Sequence, residues 1–146
     1  MKKWGTGILL GLAVVAAGGV PAASAQAVQV GLGDPSRAQL LDTLRSAIAE
    51  DLKQPVKFVV REMRTYRGWA FVTASPRTPA GAEIDFGKTH YAEQQEAGVL
   101  DGDTVYALLR QERGTWRVVT FVIGPTDVAW EAWPDEHGAP KQLFAR

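Results

Sequence analysis

The chain has 146 residues, 46% of them hydrophobic, with 16 basic and 16 acidic side chains and no cysteine. Disulfides, thiol nucleophiles, thiolate zinc sites, iron–sulfur clusters and thiol-linked lipid are therefore excluded. A balanced charge gives no long-range pull toward nucleic acid or anionic lipid, so neither is expected as a partner.

Residues 1–25 read as a cleaved export signal. Lys2 and Lys3 open it, an apolar run extends from Ile8 to Val20, Pro21 follows, and Ala23-Ser24-Ala25 places small residues at the −3 and −1 positions. The run is about 13 residues, short of the roughly 20 that a membrane-spanning helix needs. Cleavage after Ala25 would leave a periplasmic or secreted domain without membrane attachment, roughly 121 residues long, a common size for one domain. Lys2 and Lys3 would leave with the signal and no acid would, so the 16 basic residues fall by two against 16 acidic ones.

Residues 26–34 have no clear period and read as a flexible lead-in to a single domain over 35–146. A helix is expected next. Asp34 or Ser36 suits its cap and Pro35 its first turn, while Leu40, Leu44, Ile48 and Leu52 recur at four-residue steps. Pro55 ends the pattern. Val56 to Thr65 and Trp69 to Ala74 then read as two strands around a turn at Tyr66-Arg67-Gly68. In the second, Trp69, Phe71 and Thr73 face one way and Ala70 and Val72 the other.

Residues 75–103 form a long connection, turn-rich at Pro76-Arg77-Thr78-Pro79-Ala80-Gly81, with room for a short helix around Tyr91 to Ala97. Such a segment is either a functional loop or an inserted flap. A second hairpin follows: Thr104 to Arg110, a turn at Gln111-Glu112-Arg113-Gly114, and Thr115 to Ile123. Apolar residues on both faces of the last strand's second half suggest a central position. Gly124-Pro125 breaks it. Thr126 or Asp127 is expected to cap a short helix carrying Trp130 and Trp133, which Pro134 and Gly138 end. The order predicts an α+β fold, with one amphipathic helix packed on a four-stranded antiparallel meander and a short C-terminal helix. Cystatin-like and cone-shaped nuclear-transport-factor-like domains share this plan.

Few residues form a catalytic pattern. Glu83, Asp85, His90 and Glu93 lie close together on the long connection, but without metal-ligand spacing, and neither a metal nor another cofactor is expected. His90 with Asp85 or Glu93 is the one acid–base pairing available to a small hydrolase or isomerase. No serine has a nucleophile-elbow setting, and no glycine loop has the pattern of a phosphate cradle. The aromatic complement is large. Phe86, Tyr91, Trp130 and Trp133 are the named candidates for a ligand or partner surface, with Arg61 and Arg64 as its polar part. Lys57, Arg61, Arg64 and Arg67 would form a basic stripe on a regular strand.

The run DGDTVYALL, then WRVVTFVIGPTDVAWEAW, then GAP with LF shortly after, resembles a small, uncharacterised family of exported bacterial proteins. The similarity extends back through RAQLLDTLRSAIAEDL and PVKFVVREM and so covers most of the mature chain. The resemblance implies an α+β domain and assigns no activity. The functional expectation is an exported, non-enzymatic domain that binds a protein partner or a small ligand. Alternatives are the His90 enzyme and an inhibitor of an exported hydrolase. An exposed sheet face would also allow a homodimer.

Overall fold

Four-residue spacing of Leu40, Leu44, Ile48 and Leu52 puts their side chains on one side of α1 (Pro35–Leu52), and all four are buried. Asp34 is the cap. Its carboxylate accepts from the Ser36 hydroxyl at 2.7 Å and the Ser36 backbone N–H at 2.8 Å, two bonds that hold the carboxyl below its ordinary pKa. The helix ends in a left-handed residue, Lys53 (φ 56°), two positions before Pro55.

The computed structural model describes residues 26–146; the expected export signal and its cleavage site lie outside the described residues. Helix α1 covers one face of an antiparallel meander, β1 (Val28–Gln29), β2 (Lys57–Tyr66), β3 (Trp69–Arg77), β4 (Val105–Glu112) and β5 (Thr115–Ile123), paired in that order. The expected four strands become five because the lead-in adds β1. Val28 and Gln29 pair with Thr65 and Arg64, and the Val30 N–H donates to the Met63 carbonyl at 2.8 Å. A segment of two paired residues leaves almost no sequence period to detect. The outer strands β1 and β5 do not pair with each other, so the sheet is open. Among the described residues no helix is long and apolar enough to cross a membrane.

Both long hairpins close through an Arg–Gly pair with positive φ, Arg67 (45°) with Gly68 (78°) and Arg113 (52°) with Gly114 (78°). These are type I′ turns, whose twist matches that of the strands, although arginine gains nothing from its left-handed position.

Two single-residue bulges set which side chains face α1. In β2, Val60 pairs with Ala74 and Glu62 with Thr73, leaving Arg61 unpaired. In β5, Thr120 pairs with Leu108 and Val118 with Leu109, leaving Val119 unpaired. Each extra residue reverses the alternation beyond it. Phe58 and Val60 thus share the helix side with Met63, and Trp116 and Val118 share it with Phe121 and Ile123. The apolar residues on both faces of β5 have this origin. The strand is an outer one, not the central one expected.

The long connection starts at Thr78 and is packed into the helix-side core. Ile84 and Phe86 are buried there, the latter in a short 3-10 turn (Phe86–Lys88) capped by Asp85, and Tyr91 and Leu100 pack against the same cluster around α2 (Ala92–Glu96). Its far end is fastened to the exit of β5. Asp101 N–H donates to the Gly124 carbonyl at 2.8 Å, and Gly124 N–H donates to the Thr104 carbonyl at 3.0 Å. A Cβ on Gly124 (φ 55°) would lie 2.6 Å from the Gly102 oxygen and 2.8 Å from Leu100 Cδ1.

The second face of the sheet is covered by the C-terminal segment. After a 3-10 turn (Ala129–Ala132), α3 (Trp133–His137) and a final turn at Lys141–Leu143 bring Trp133, Ala139 and Leu143 onto Tyr66, Phe71 and Leu108. Neither Thr126 nor Asp127 caps this segment, whose first turn starts at Val128 without a side-chain cap. Pro134 lies in the first turn of α3 rather than ending a helix, because its missing N–H costs nothing there. Gly138 (φ 72°) does end it.

Two outcomes follow from the backbone. Gly124→Ala should lower unfolding stability by about 2–3 kcal/mol, through positive φ and the clash with Gly102 and Leu100 together. Arg113→Asn, at an exposed turn, should raise it by about 0.5 kcal/mol. Urea unfolding midpoints at constant slope measure both; a neutral Gly124→Ala would show that the connection is not fastened as described.

Candidate functional site

The C-terminal cover leaves part of the second sheet face open. A cleft of about 580 Å³ lies there, with Phe71, Thr73 and Tyr106 contributed by the sheet, Trp130 and Phe144 by the tail, and Arg61, Glu62 and Arg64 by β2. Gln29, Thr104 and Arg146 complete its border.

Strand periodicity explains the apolar part. Phe71 and Thr73 on β3 and Tyr106 on β4 share the face turned away from α1. Trp130 stacks on Tyr106 with centroids 4.1 Å apart and planes 15° apart, and Phe144 meets Phe71 edge-on at 5.1 Å. Trp133 lies behind them, 3% exposed and edge-on to Phe71 at 6.2 Å. Of the two tryptophans expected on one short helix, Trp133 is core and Trp130 lines the cleft.

The polar part depends on the β2 bulge. Arg61 is exposed at the bulge, and its Nε donates to the hydroxyl of buried Ser75 at 3.3 Å. It has no ion-pair partner among the described residues. Arg64 behaves differently. It is 4% exposed, lies over the Phe71 ring at 5.5 Å, and donates through a terminal nitrogen to the Ala145 carbonyl at 2.6 Å. Its Nε lies 3.0 Å from a Glu62 oxygen, but that N–H is not aligned on it and makes no hydrogen bond. Arg64 thus ties the tail to the sheet while Glu62 balances its charge. The basic stripe expected from Lys57, Arg61, Arg64 and Arg67 does not form. The bulge breaks the alternation, Arg64 is buried, and Arg67 sits in the turn with its guanidinium 5.2 Å from the Tyr66 ring centre.

Phe86 and Tyr91, expected beside Trp130, are on the opposite side of the sheet in the helix-side core. Phe86 is 4% exposed and Tyr91 packs edge-on to it at 6.0 Å. The Tyr91 hydroxyl donates to Asp51 Oδ2 at 2.7 Å. Burial first, then this hydrogen bond and the negative charge of Asp51, push the phenol far above its ordinary pKa.

His90 meets neither Asp85 nor Glu93. Its Nε2 is 3.0 Å from Asp51 Oδ1, at the end of α1. Asp85 instead accepts from the Gly87 N–H at 3.1 Å and lies 3.8 Å from the Lys88 ammonium, while Glu93 is in the first turn of α2. Asp51 is the partner that sequence reasoning missed. It is 39 positions away from His90 in the chain and carried no signal other than its place near a helix end. No group of three or more histidine and acidic residues suited to a metal ion occurs among the described residues. Comparisons with protein-family models, with curated proteins and with solved structures give no match.

The bond between Tyr91 and Asp51 can be read by spectrophotometric titration of the three tyrosines. A folded-state pKa raised above the unfolded value stabilises the protein below about pH 10, and the contribution is lost as pH rises further. One phenol should therefore stay neutral through the ordinary tyrosine range, and Tyr91→Phe should leave the folded protein's titration near pH 10 unchanged. If Tyr91→Phe instead removes a step near pH 10 from the folded protein, the Asp51 contact is absent.

Proposed function

We propose that this chain is an exported binding domain whose ligand is a small planar anion held in the cleft of the second sheet face. The observation that carries the reading is the pairing there of Arg61, a guanidinium without a carboxylate partner, with the aromatic wall of Tyr106 and Trp130. An exposed arginine fork supplies charge-assisted donors to a carboxylate or phosphate, and aromatic faces favour a flat body. Ser75 restrains Arg61, so part of the ordering cost is met before binding. Export belongs to the same proposal, supported by the signal-like residues 1–25 and the likeness to small exported bacterial proteins. So does a cystatin-like plan, supported by the order strand, long helix and four-strand meander.

A second reading is an acid–base enzyme. One observation favours it: Asp51 orients His90 beside a shallow groove along Val118 to Phe121. Glu50 and Lys53 also border the groove, but neither is bonded to His90, so the binding reading takes precedence.

The test is native mass spectrometry of the protein purified from the periplasm, followed by benzoate titration read from tryptophan fluorescence. A retained anion or saturable benzoate binding is expected, weakened about tenfold by Arg61→Gln. Trp130→Ala should weaken it similarly with the fold intact by circular dichroism. An apo mass together with benzoate binding that ignores both substitutions would refute the cleft as the site.

A further inference from the structure

Three strands place a row of polar side chains across the cleft that Arg61 borders. Glu62 pairs with Thr73 across β2 and β3, and Thr73 pairs with Tyr106 across β3 and β4. Directly opposed residues on one sheet face have Cβ atoms about 5 Å apart, so a carboxylate, a hydroxyl and a phenol lie side by side. All three border the cleft. Thr73 is 7% exposed, and its hydroxyl makes no hydrogen bond among the described residues. Yet it is not shut in. The unpartnered side-chain polar atoms closed to solvent among the described residues are Arg64 Nε and Trp116 Nε1 alone. A buried hydroxyl ordinarily has a partner, and the side that this one keeps open is the cleft. Glu62 accepts no hydrogen bond either, because the Arg64 Nε–H at 3.0 Å is not aligned on it. Arg61, its neighbour in the chain, makes no ion pair with it. A positive group and a set of acceptors thus border one cavity without being joined to each other.

We propose that the ligand of this cleft is an aromatic α-amino acid, an inference that rests on the anion site proposed above and names what fills it. The α-carboxylate meets the Arg61 guanidinium. The ammonium, which has three donors and no acceptor, donates to Glu62 and to the Thr73 hydroxyl. The ring lies toward the wall of Tyr106 and Trp130. An α-amino acid carries both charges on one carbon, and the site offers their complements at consecutive positions, Arg61 and Glu62. A regular strand would turn two consecutive side chains to opposite faces; the bulge at Arg61 lets both border the cleft. A simple carboxylate would satisfy Arg61 and leave the acceptors of the row without a donor. Glu62 is therefore the residue that distinguishes a zwitterion from an anion of the same shape.

The experiment is isothermal titration calorimetry of the purified protein with three ligands: L-phenylalanine, 3-phenylpropionate, which lacks the ammonium, and phenethylamine, which lacks the carboxylate. L-Phenylalanine should bind about tenfold more tightly than either of the other two. Glu62→Gln should abolish its advantage over 3-phenylpropionate. Thr73→Val, which leaves the Glu62 and Arg64 pair in place, should reduce that advantage about threefold. Equal binding of L-phenylalanine and 3-phenylpropionate to the wild-type chain would overturn the amino-acid assignment and leave the anion site standing. So would an advantage that persists in both variants. Absence of binding by both carboxylates would overturn the two readings together. Because the ligand series is read on the wild-type chain, the test holds even where Glu62→Gln does not fold.

Discussion

Alternation on β2 and β5, the two strands that carry bulges, is the constraint on which the architecture rests. Without an extra residue at Arg61 and another at Val119, one half of β2 and one half of β5 would turn their apolar side chains away from α1. The helix could not then bury Met63 together with Phe58, or Ile123 together with Trp116. A cysteine-free domain has no covalent staple to offset such a loss. The bulges therefore do for this sheet what a strict period does for a regular one, and they add local twist and bend.

The same device places chemistry. Arg61 is the unpaired residue of its bulge, and Glu62 and Arg64 fall on the second face because of it. That face acquires one buried arginine tied to the chain's tail and one exposed arginine beside aromatic rings. Their roles separate through burial. Arg64 is enclosed by Phe71, Glu62 and the Ala145 carbonyl, so removing it would leave a partly buried carboxylate without its partner. Arg61 is exposed and bonded only to the Ser75 hydroxyl.

The long connection behaves as part of the core. Ile84 and Phe86 insert beneath α1, Gly124 fastens the far end, and the Asp51 carboxylate collects both His90 and Tyr91. Its two aromatic residues, Phe86 and Tyr91, and its one histidine, His90, are thus spent on attachment. The remaining surface features, the tail-bordered cleft and the pocket under the hairpin turns, lie where the covering elements stop short of the sheet's margins.

Sequence by itself determined the elements whose signals are local. Helix α1 was legible from Leu40, Leu44, Ile48 and Leu52 and from Asp34 before Pro35, because a helix repeats every 3.6 residues and its cap is adjacent in the chain. The hairpins were legible from alternation around Arg67-Gly68 and Arg113-Gly114, as were the two faces of β3. Of the proposed contact residues, Arg61 and Trp130 line the open cleft, with Arg64 in its floor and Trp133 behind. Only the tertiary structure decided the rest. A bulge shows itself through the partner strand, so the outer position of β5 and the facing of Arg64 were invisible in one strand's pattern. A two-residue β1 has no period, and an aromatic residue reads alike whether it lines a cleft, as Trp130 does, or fills a core, as Phe86 does. The pairing of His90 with Asp51, across 39 positions, is set by how the connection docks on the end of α1, and composition carries no record of that distance.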